Sequence, residues 1–206
     1  MNDPGGGVFV VDDDPSVRKA LARLFQPTEF QVHTFETAQE FLDYPRPDVP
    51  TCLVLDVRMP GLSGVELQER LIAHDADLPI VFMTGHGDIP MAVKAIKAGA
   101  VDFLPKPVDK QRLRQTVADA IASYAAKRQE SAELAEFRTR IESLTPRERE
   151  VMSLVVAGML NKQIAKKLGI AEATVKLHRG QVMRKSGVAS SAELVRRCEQ
   201  AGLSRT

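Results

Sequence analysis

Four short, largely apolar runs in the first 120 residues each lead to a polar side chain at their carboxyl end. Val8–Val11 precedes Asp12, Asp13 and Asp14; Cys52–Leu55 precedes Asp56; Ile80–Met83 precedes Thr84; and Val101–Leu104 precedes Lys106. Runs of this kind read as strands buried on both faces, the pattern of a parallel sheet. The carboxyl ends of parallel strands share one edge, and open α/β sheets bind ligands in the crevice beside that edge. Three carboxylates, those of Asp12, Asp13 and Asp56, a hydroxyl and an ammonium are therefore expected to converge on one crevice.

The stretches between the runs are helical in pattern. Asp14-Pro15 supplies a cap and a first-position proline, followed by the apolar stripe Val17, Leu21 and Leu24. Gln31–Phe35 is a fifth strand-like segment and leads into Thr37-x-x-Glu40, a capping box. The turn Met59-Pro60-Gly61 precedes a helix near Ser63–His74, and the loop from Gly85 to Asp88 precedes one from Ile89 to Ala98. Asp109 is placed to cap a fifth helix. Five strand–helix units with right-handed crossovers predict an α/β fold, a five-stranded doubly wound parallel sheet with helices on both faces.

A chain of 206 residues, 44% hydrophobic and 27% charged, suits two globular domains. No apolar stretch approaches the ~20 residues needed to cross a bilayer, and no basic-then-apolar leader opens the chain, so a cytoplasmic protein with no membrane partner is expected. Cys52 and Cys198 match no metal-ligand spacing and read as packing residues. The net charge of +1 hides an asymmetry: residues 1–120 carry −6, residues 121–144 carry 0 and residues 145–206 carry +7. The basic module is the candidate for nucleic acid and the acidic one is not.

The segments FVVDDD, LVLDVRMPGLSGVEL, VFMTGHGD and DFLPKP resemble the landmarks of two-component receiver domains, over about the first 120 residues. GHGDIPMAVKAIKAGAVDFLPKP is especially similar to the FixJ branch, including regulators of styrene breakdown. The resemblance implies a flavodoxin-like receiver in which Asp56 accepts a phosphoryl group from a sensor histidine kinase and Asp12 and Asp13 hold Mg2+. It also implies that Thr84, Lys106 and Phe103 are the switch hydroxyl, the lysine and the rotating aromatic. Asp14 extends the acidic run but is better explained as a helix cap.

The chemistry of the residues agrees with those roles. Mg2+ is a hard cation that takes oxygen ligands, so Asp12, Asp13, Asp56 and a backbone carbonyl, expected at Arg58, suit it. Phosphoryl transfer needs positioning and charge neutralisation around an attacking carboxylate. Once formed, the phosphoryl group would offer acceptor oxygens to Thr84 and Lys106. Drawing Thr84 inward would open space for Phe103 and alter the face of the fourth helix and fifth strand (α4–β5), around Met91–Gly99 and Val101–Phe103. That face is expected to form the homodimer of the phosphorylated protein. A purely structural ion pair is the competing interpretation, but five suitable residues at four strand ends argue against it. Dehalogenase-type phosphatases place a second Asp two residues after the nucleophile; Arg58 stands there, so no dedicated enzyme is expected.

From Lys110 to Leu144 no Gly or Pro interrupts a helical pattern. Residues 121–143 are read as a helical linker continuing the fifth helix. Its stripe Leu134, Phe137, Ile141 and Leu144 suits either a short coiled coil or packing on its own chain.

A second domain, residues 144–206, opens with the capping box Thr145-Pro146-Arg147-Glu148. Helices ending at Gly158 and Gly169, a third over Glu172–Ser186 and a fourth through Leu194 and Val195 give an all-α, four-helix, helix-turn-helix pattern. LTPREREVMSLVVAGMLNKQIAKKLGIAEATVKLHRGQVMRKSGV resembles the LuxR/NarL/FixJ-type DNA-binding domain, whose third helix enters the major groove. On that helix Lys176 is expected to reach guanine acceptors and Leu177 a thymine methyl. His178 suits a phosphate or a structural contact, and Lys162, Thr174, Arg179, Arg184 and Lys185 are expected on phosphates. Gly180 stands where some relatives carry a basic residue, and Ala171 is a poor N-cap.

Together these features predict a response regulator and transcription factor. Phosphorylation would favour a dimer binding double-stranded promoter DNA, and RNA polymerase is the implied downstream partner. A phosphorylation-independent DNA-binding regulator with a degenerate or ligand-binding receiver is the alternative, and a phosphate sink is a third possibility that would not need the basic domain.

Overall fold

The computed structural model describes residues 6–26, 30–74, 77–85 and 89–203. The expected loop from Gly85 to Asp88 therefore lies largely outside the described residues. The chain divides into two compact units, residues 1–127 and 128–206.

In the first unit the sheet order is β2-β1-β3-β4-β5, all parallel, with β1 Gly7–Val11, β2 Gln31–Phe35, β3 Thr51–Asp56, β4 Ile80–Thr84 and β5 Asp102–Pro105. The helices are α1 Pro15–Phe25, α2 Ala38–Asp43, α3 Gly64–Ala73, α4 Ile89–Lys97 and the beginning of α5 Lys110–Glu142. Side chains alternate across a strand, which divides the buried residues into two cores. Val8, Val10, Val54 and Met83 pack with Leu21, Phe25, Leu113 and Val117 on the α1/α5 side. Phe9, Val11, Leu55 and Phe82 pack with Phe41, Leu67 and Leu71 on the other. Continuous burial along β1, β3 and β4 explains why the sequence shows unbroken apolar runs there.

The caps follow their sequence signals, with one shift. Asp14 accepts from Ser16 N at 2.7 Å, and Asp109 accepts from Arg112 N at 2.7 Å. Thr37 caps α2, but the Glu40 carboxylate takes Glu36 N rather than the Thr37 amide. Ser63 and Glu66 form a complete capping box at α3.

The second unit contains the end of α5, then α6 Pro146–Val156, α7 Asn161–Leu168, α8 Glu172–Ser186 and α9 Ser191–Gln200. Thr145 and Glu148 close the capping box of α6. Gly169, in the left-handed region at φ 64°, ends α7 and turns the chain into α8. Phe137, Ile141 and Leu144 are buried with Val151, Ile164, Val175, Val182 and Leu194 in one core, with Leu134 packed against it. The apolar stripe at the end of α5 is thus covered by its own chain, within the helix-turn-helix unit. Cys52 and Cys198 are both buried, and burial pushes both thiols up. Among the described residues no helix is long and apolar enough to cross a membrane.

Candidate functional site

The carboxyl edge of the sheet brings Asp12, Asp13 and Asp56 together: one oxygen of each lies within 4.8 Å of the others. Asp12 follows β1 and is completely buried, Asp56 ends β3 and is 6% exposed, and Asp13 is exposed. Lys106, one residue past β5, reaches over the edge to place Nζ 2.6 Å from Asp12 Oδ2 and 3.1 Å from Asp56 Oδ1. Thr84 ends β4 beside them and is buried. Its carbonyl accepts Lys106 N at 2.6 Å, tying β4 to the segment that carries the lysine. Phe103 is half-buried, its ring 5.9 Å from that of Phe82.

Burial raises the Asp56 carboxyl above its ordinary value despite the opposing pull of Lys106, and the charge of Asp12 adds to the rise. At Lys106, burial alone would favour the neutral amine, but the hydrogen bonds and charges of Asp12 and Asp56 outweigh it and raise the ammonium. A half-buried cluster of three acids and one cation carries excess negative charge, with Asp12 accepting from Asp14 N at 3.0 Å and from Lys106 Nζ at 2.6 Å and the Asp13 carboxylate exposed. Such a donor set fits a hard divalent cation.

Several groups hold the edge in place that are not apparent from sequence reasoning. Arg18 of α1 donates to the backbone carbonyls of Asp12 and Asp13 at 2.7 and 2.9 Å, while its other nitrogen pairs with Glu36. Gly64 packs so closely under Asp56 that a Cβ there would come 2.2 Å from the Asp56 carbonyl oxygen. The buried Gln68 donates from Nε2 to Ala95 O at 3.2 Å, joining α3 to the end of α4.

In the second unit, α8 exposes Lys176 and Leu177, and Thr174 and His178 are half-buried. Leu177 is 62% exposed. Lys162, at the start of α7, is exposed. Two of the residues expected on phosphates have partners within the chain. Lys185 Nζ sits 2.6 Å from the buried Glu148 carboxylate, and Arg179 donates to Asn161 Oδ1 and Ser191 Oγ at 2.7 and 2.8 Å. Arg184 hydrogen-bonds Gln181 on its own helix. Ala171 gives α8 no side-chain cap, in line with its poor capping chemistry.

Comparison with known proteins identifies the family. Residues 8–118 match the response regulator receiver domain, and residues 142–198 match the bacterial regulatory proteins of the luxR family. The chain belongs to the two-component response regulators. It is similar to nodulation protein W of Bradyrhizobium diazoefficiens, 48% identical over 96% of this chain and 87% of that protein. It is 42% identical to the transcriptional regulatory protein FixJ of the same organism, over 96% of this chain and 97% of that one. Among solved structures, the response regulator StyR superposes with a TM-score of 0.83 at 49% identity, covering 95% of this chain and 99% of that chain. This response regulator is thus a transcription regulator with a receiver and a LuxR-type DNA-binding domain, a domain pair that implies kinase and DNA partners.

Proposed function

We propose that Asp56 is the phosphoacceptor of this response regulator, and that its phosphorylation by a sensor histidine kinase favours a dimer that binds promoter DNA and acts through RNA polymerase in the cytoplasm. The observation that carries the reading is the placement of Lys106 between two buried carboxylates, with Asp13 beside them. The Asp56 carboxylate attacks phosphorus as the P–N bond of the kinase phosphohistidine breaks, and the electron pair of that bond returns to the imidazole. Asp12, Asp13, Asp56 and the Arg58 carbonyl would hold Mg2+, which when bound neutralises charge on the phosphoryl oxygens. Lys106 then exchanges part of its hold on Asp56 for a phosphoryl oxygen, and the Thr84 hydroxyl donates to another.

Withdrawal of Thr84 toward the phosphoryl group makes room for Phe103 to turn inward, altering the α4–β5 face. Ile89, Val93, Ile96 and Val101 are large apolar residues exposed on these elements or beside them, at 74, 47, 44 and 44%. Their exposure supports this face as the homodimer surface. On DNA, Lys176 and Leu177 read base edges, and Lys162, Thr174, His178 and Arg184 are the candidates for phosphates. Transfer of a radiolabelled phosphoryl group from acetyl phosphate or a phosphorylated histidine kinase tests the assignment. Label on the wild type with Mg2+, and none on Asp56→Asn, is the expected result; equal label on both proteins contradicts it.

A further inference from the structure

Resting on the reading of α8 as the DNA-reading helix, we propose that Arg179 is a positioning residue that fixes the angle of this helix and thereby sets operator specificity, without contacting DNA. Its guanidinium clasps three helices. Nη1 holds Asn161, the first residue of α7, at 2.7 Å, and Nη2 holds Ser191, the first residue of α9, at 2.8 Å. All three side chains are half-buried.

Asn and Ser near helix starts ordinarily serve as caps. Neither does so here. Leu160 N at the start of α7 is taken by the Gln163 side chain, and α9 is capped by the hydroxyl of Ser190, which accepts Glu193 N. The Asn161 carboxamide and the Ser191 hydroxyl each stand one position inside the cap and are directed to Arg179.

The rest of α8 shows why such a clasp has consequences. The carboxyl end of the helix is anchored by Lys185 on Glu148, and Ser186 Oγ donates to Val182 O within the helix. Its amino end has no side-chain cap, and Lys176 and Leu177 are exposed there. Gly180, next to Arg179, makes the helix locally more yielding. Among the described residues, Arg179 makes the side-chain hydrogen bonds to neighbouring helices that lie nearest Lys176 and Leu177 on α8. Lys176 lies three residues away, about 4.5 Å along the axis. A small change in angle at Arg179 therefore displaces the groups that must meet base edges, whose hydrogen-bond geometry tolerates little error.

A phosphate contact and a positioning residue give different binding signatures. Losing a phosphate contact lowers the slope of log K against log salt by about 0.9 and weakens all sequences alike. Losing a positioning group leaves the slope and narrows the gap between sequences. The test uses the full-length protein activated by beryllium fluoride and Mg2+. Duplexes selected by the wild type from a randomised library are compared with shuffled duplexes across a salt series, for wild type, Arg179→Gln, Asn161→Ala and Ser191→Ala.

For Arg179→Gln the specific-to-shuffled affinity ratio is expected to fall about 10-fold, the worth of one impaired base contact, with the salt slope unchanged. Asn161→Ala and Ser191→Ala, which remove no charge, are expected to lower the ratio in the same direction and to add little further loss when combined with Arg179→Gln. The two alanine variants report even where Arg179→Gln is poorly folded. A reduced slope with an unchanged ratio would make Arg179 a phosphate contact and overturn the proposal. An unchanged ratio in the alanine variants would make the clasp merely structural and overturn it equally. Loss of preference on Lys176→Ala confirms that α8 reads bases; a wild type with no preferred duplex would instead overturn the DNA-reading assignment, and this proposal with it.

Discussion

Lys106 Nζ lies 3.1 Å from Asp56 Oδ1 while also bonded to the wholly buried Asp12 at 2.6 Å, so one ammonium is shared between two carboxylates, one ending β3 and one just past β1. Removing it leaves Asp12 buried and without its cation. Lys106→Met is expected to lose roughly 1–3 kcal/mol of receiver stability in Mg2+-free buffer, measured by urea unfolding. Added Mg2+ is expected to restore more stability to this variant than to the wild type. A variant as stable as the wild type without Mg2+ would show that the ion pair contributes little.

Asp56 predicts an effect of opposite sign. Burial raises its carboxyl above the ordinary value, so the folded state holds its proton more tightly than the unfolded chain. Stability is then lost as pH rises from the unfolded value through the folded one, and the cost persists at neutral pH. Asp56→Asn is expected to melt at a higher temperature than the wild type at pH 7 without Mg2+, and to lose that advantage in acid. A lower melting temperature at pH 7 would mean that the bond to Lys106 outweighs burial.

Glu148 and Lys185 couple α6 to α8 in the second unit. Lys185 and the Thr145 amide hold the Glu148 carboxyl down to about 2, below its ordinary 4.5. A lowered acid contributes stability that is fully present above about pH 4.5 and is lost as pH falls toward about 2. Lys185→Met is expected to lower the unfolding midpoint of the DNA-binding unit at neutral pH, with the difference from wild type shrinking through that acid window. Equal midpoints at pH 7 would sink the assignment.

Phe137 is 1% exposed in the core that also holds Val151, Ile164 and Val175. Phe137→Ala is expected to cost the second unit about 3–5 kcal/mol, seen as early loss of the helix-turn-helix transition while the receiver transition is retained. We place the functional start of the DNA-binding module inside α5 for this reason, before residue 144. A variant in which only the receiver transition moves would contradict that placement.

Much of this arrangement is legible in the sequence because it follows from short-range rules. Buried parallel strands appear as apolar runs, so Asp12, Asp56, Thr84 and Lys106 could be assigned to one edge from their positions at strand ends. Caps such as Asp14 and Thr145 are equally local. Groups that depend on which way a long side chain turns were not legible. Arg18 bracing the acidic loop and Gln68 bridging α3 to α4 join residues distant in sequence through flexible side chains. The partners that Arg179 and Lys185 find on neighbouring helices were hidden for the same reason. The stripe at the end of α5 has too few repeats to distinguish a coiled coil from packing on its own chain, and only the shared core with Val151 and Val175 decides.

The state of Asp56 is expected to govern DNA binding, which is tested by capture of genomic fragments by the purified full-length protein with Mg2+, with and without beryllium fluoride. Sites that appear or tighten only with beryllium fluoride, and do so in the wild type but not in Asp56→Asn, are the predicted result. Equal occupancy of the same sites in both conditions would contradict it and make the acidic crevice a scaffold rather than a switch.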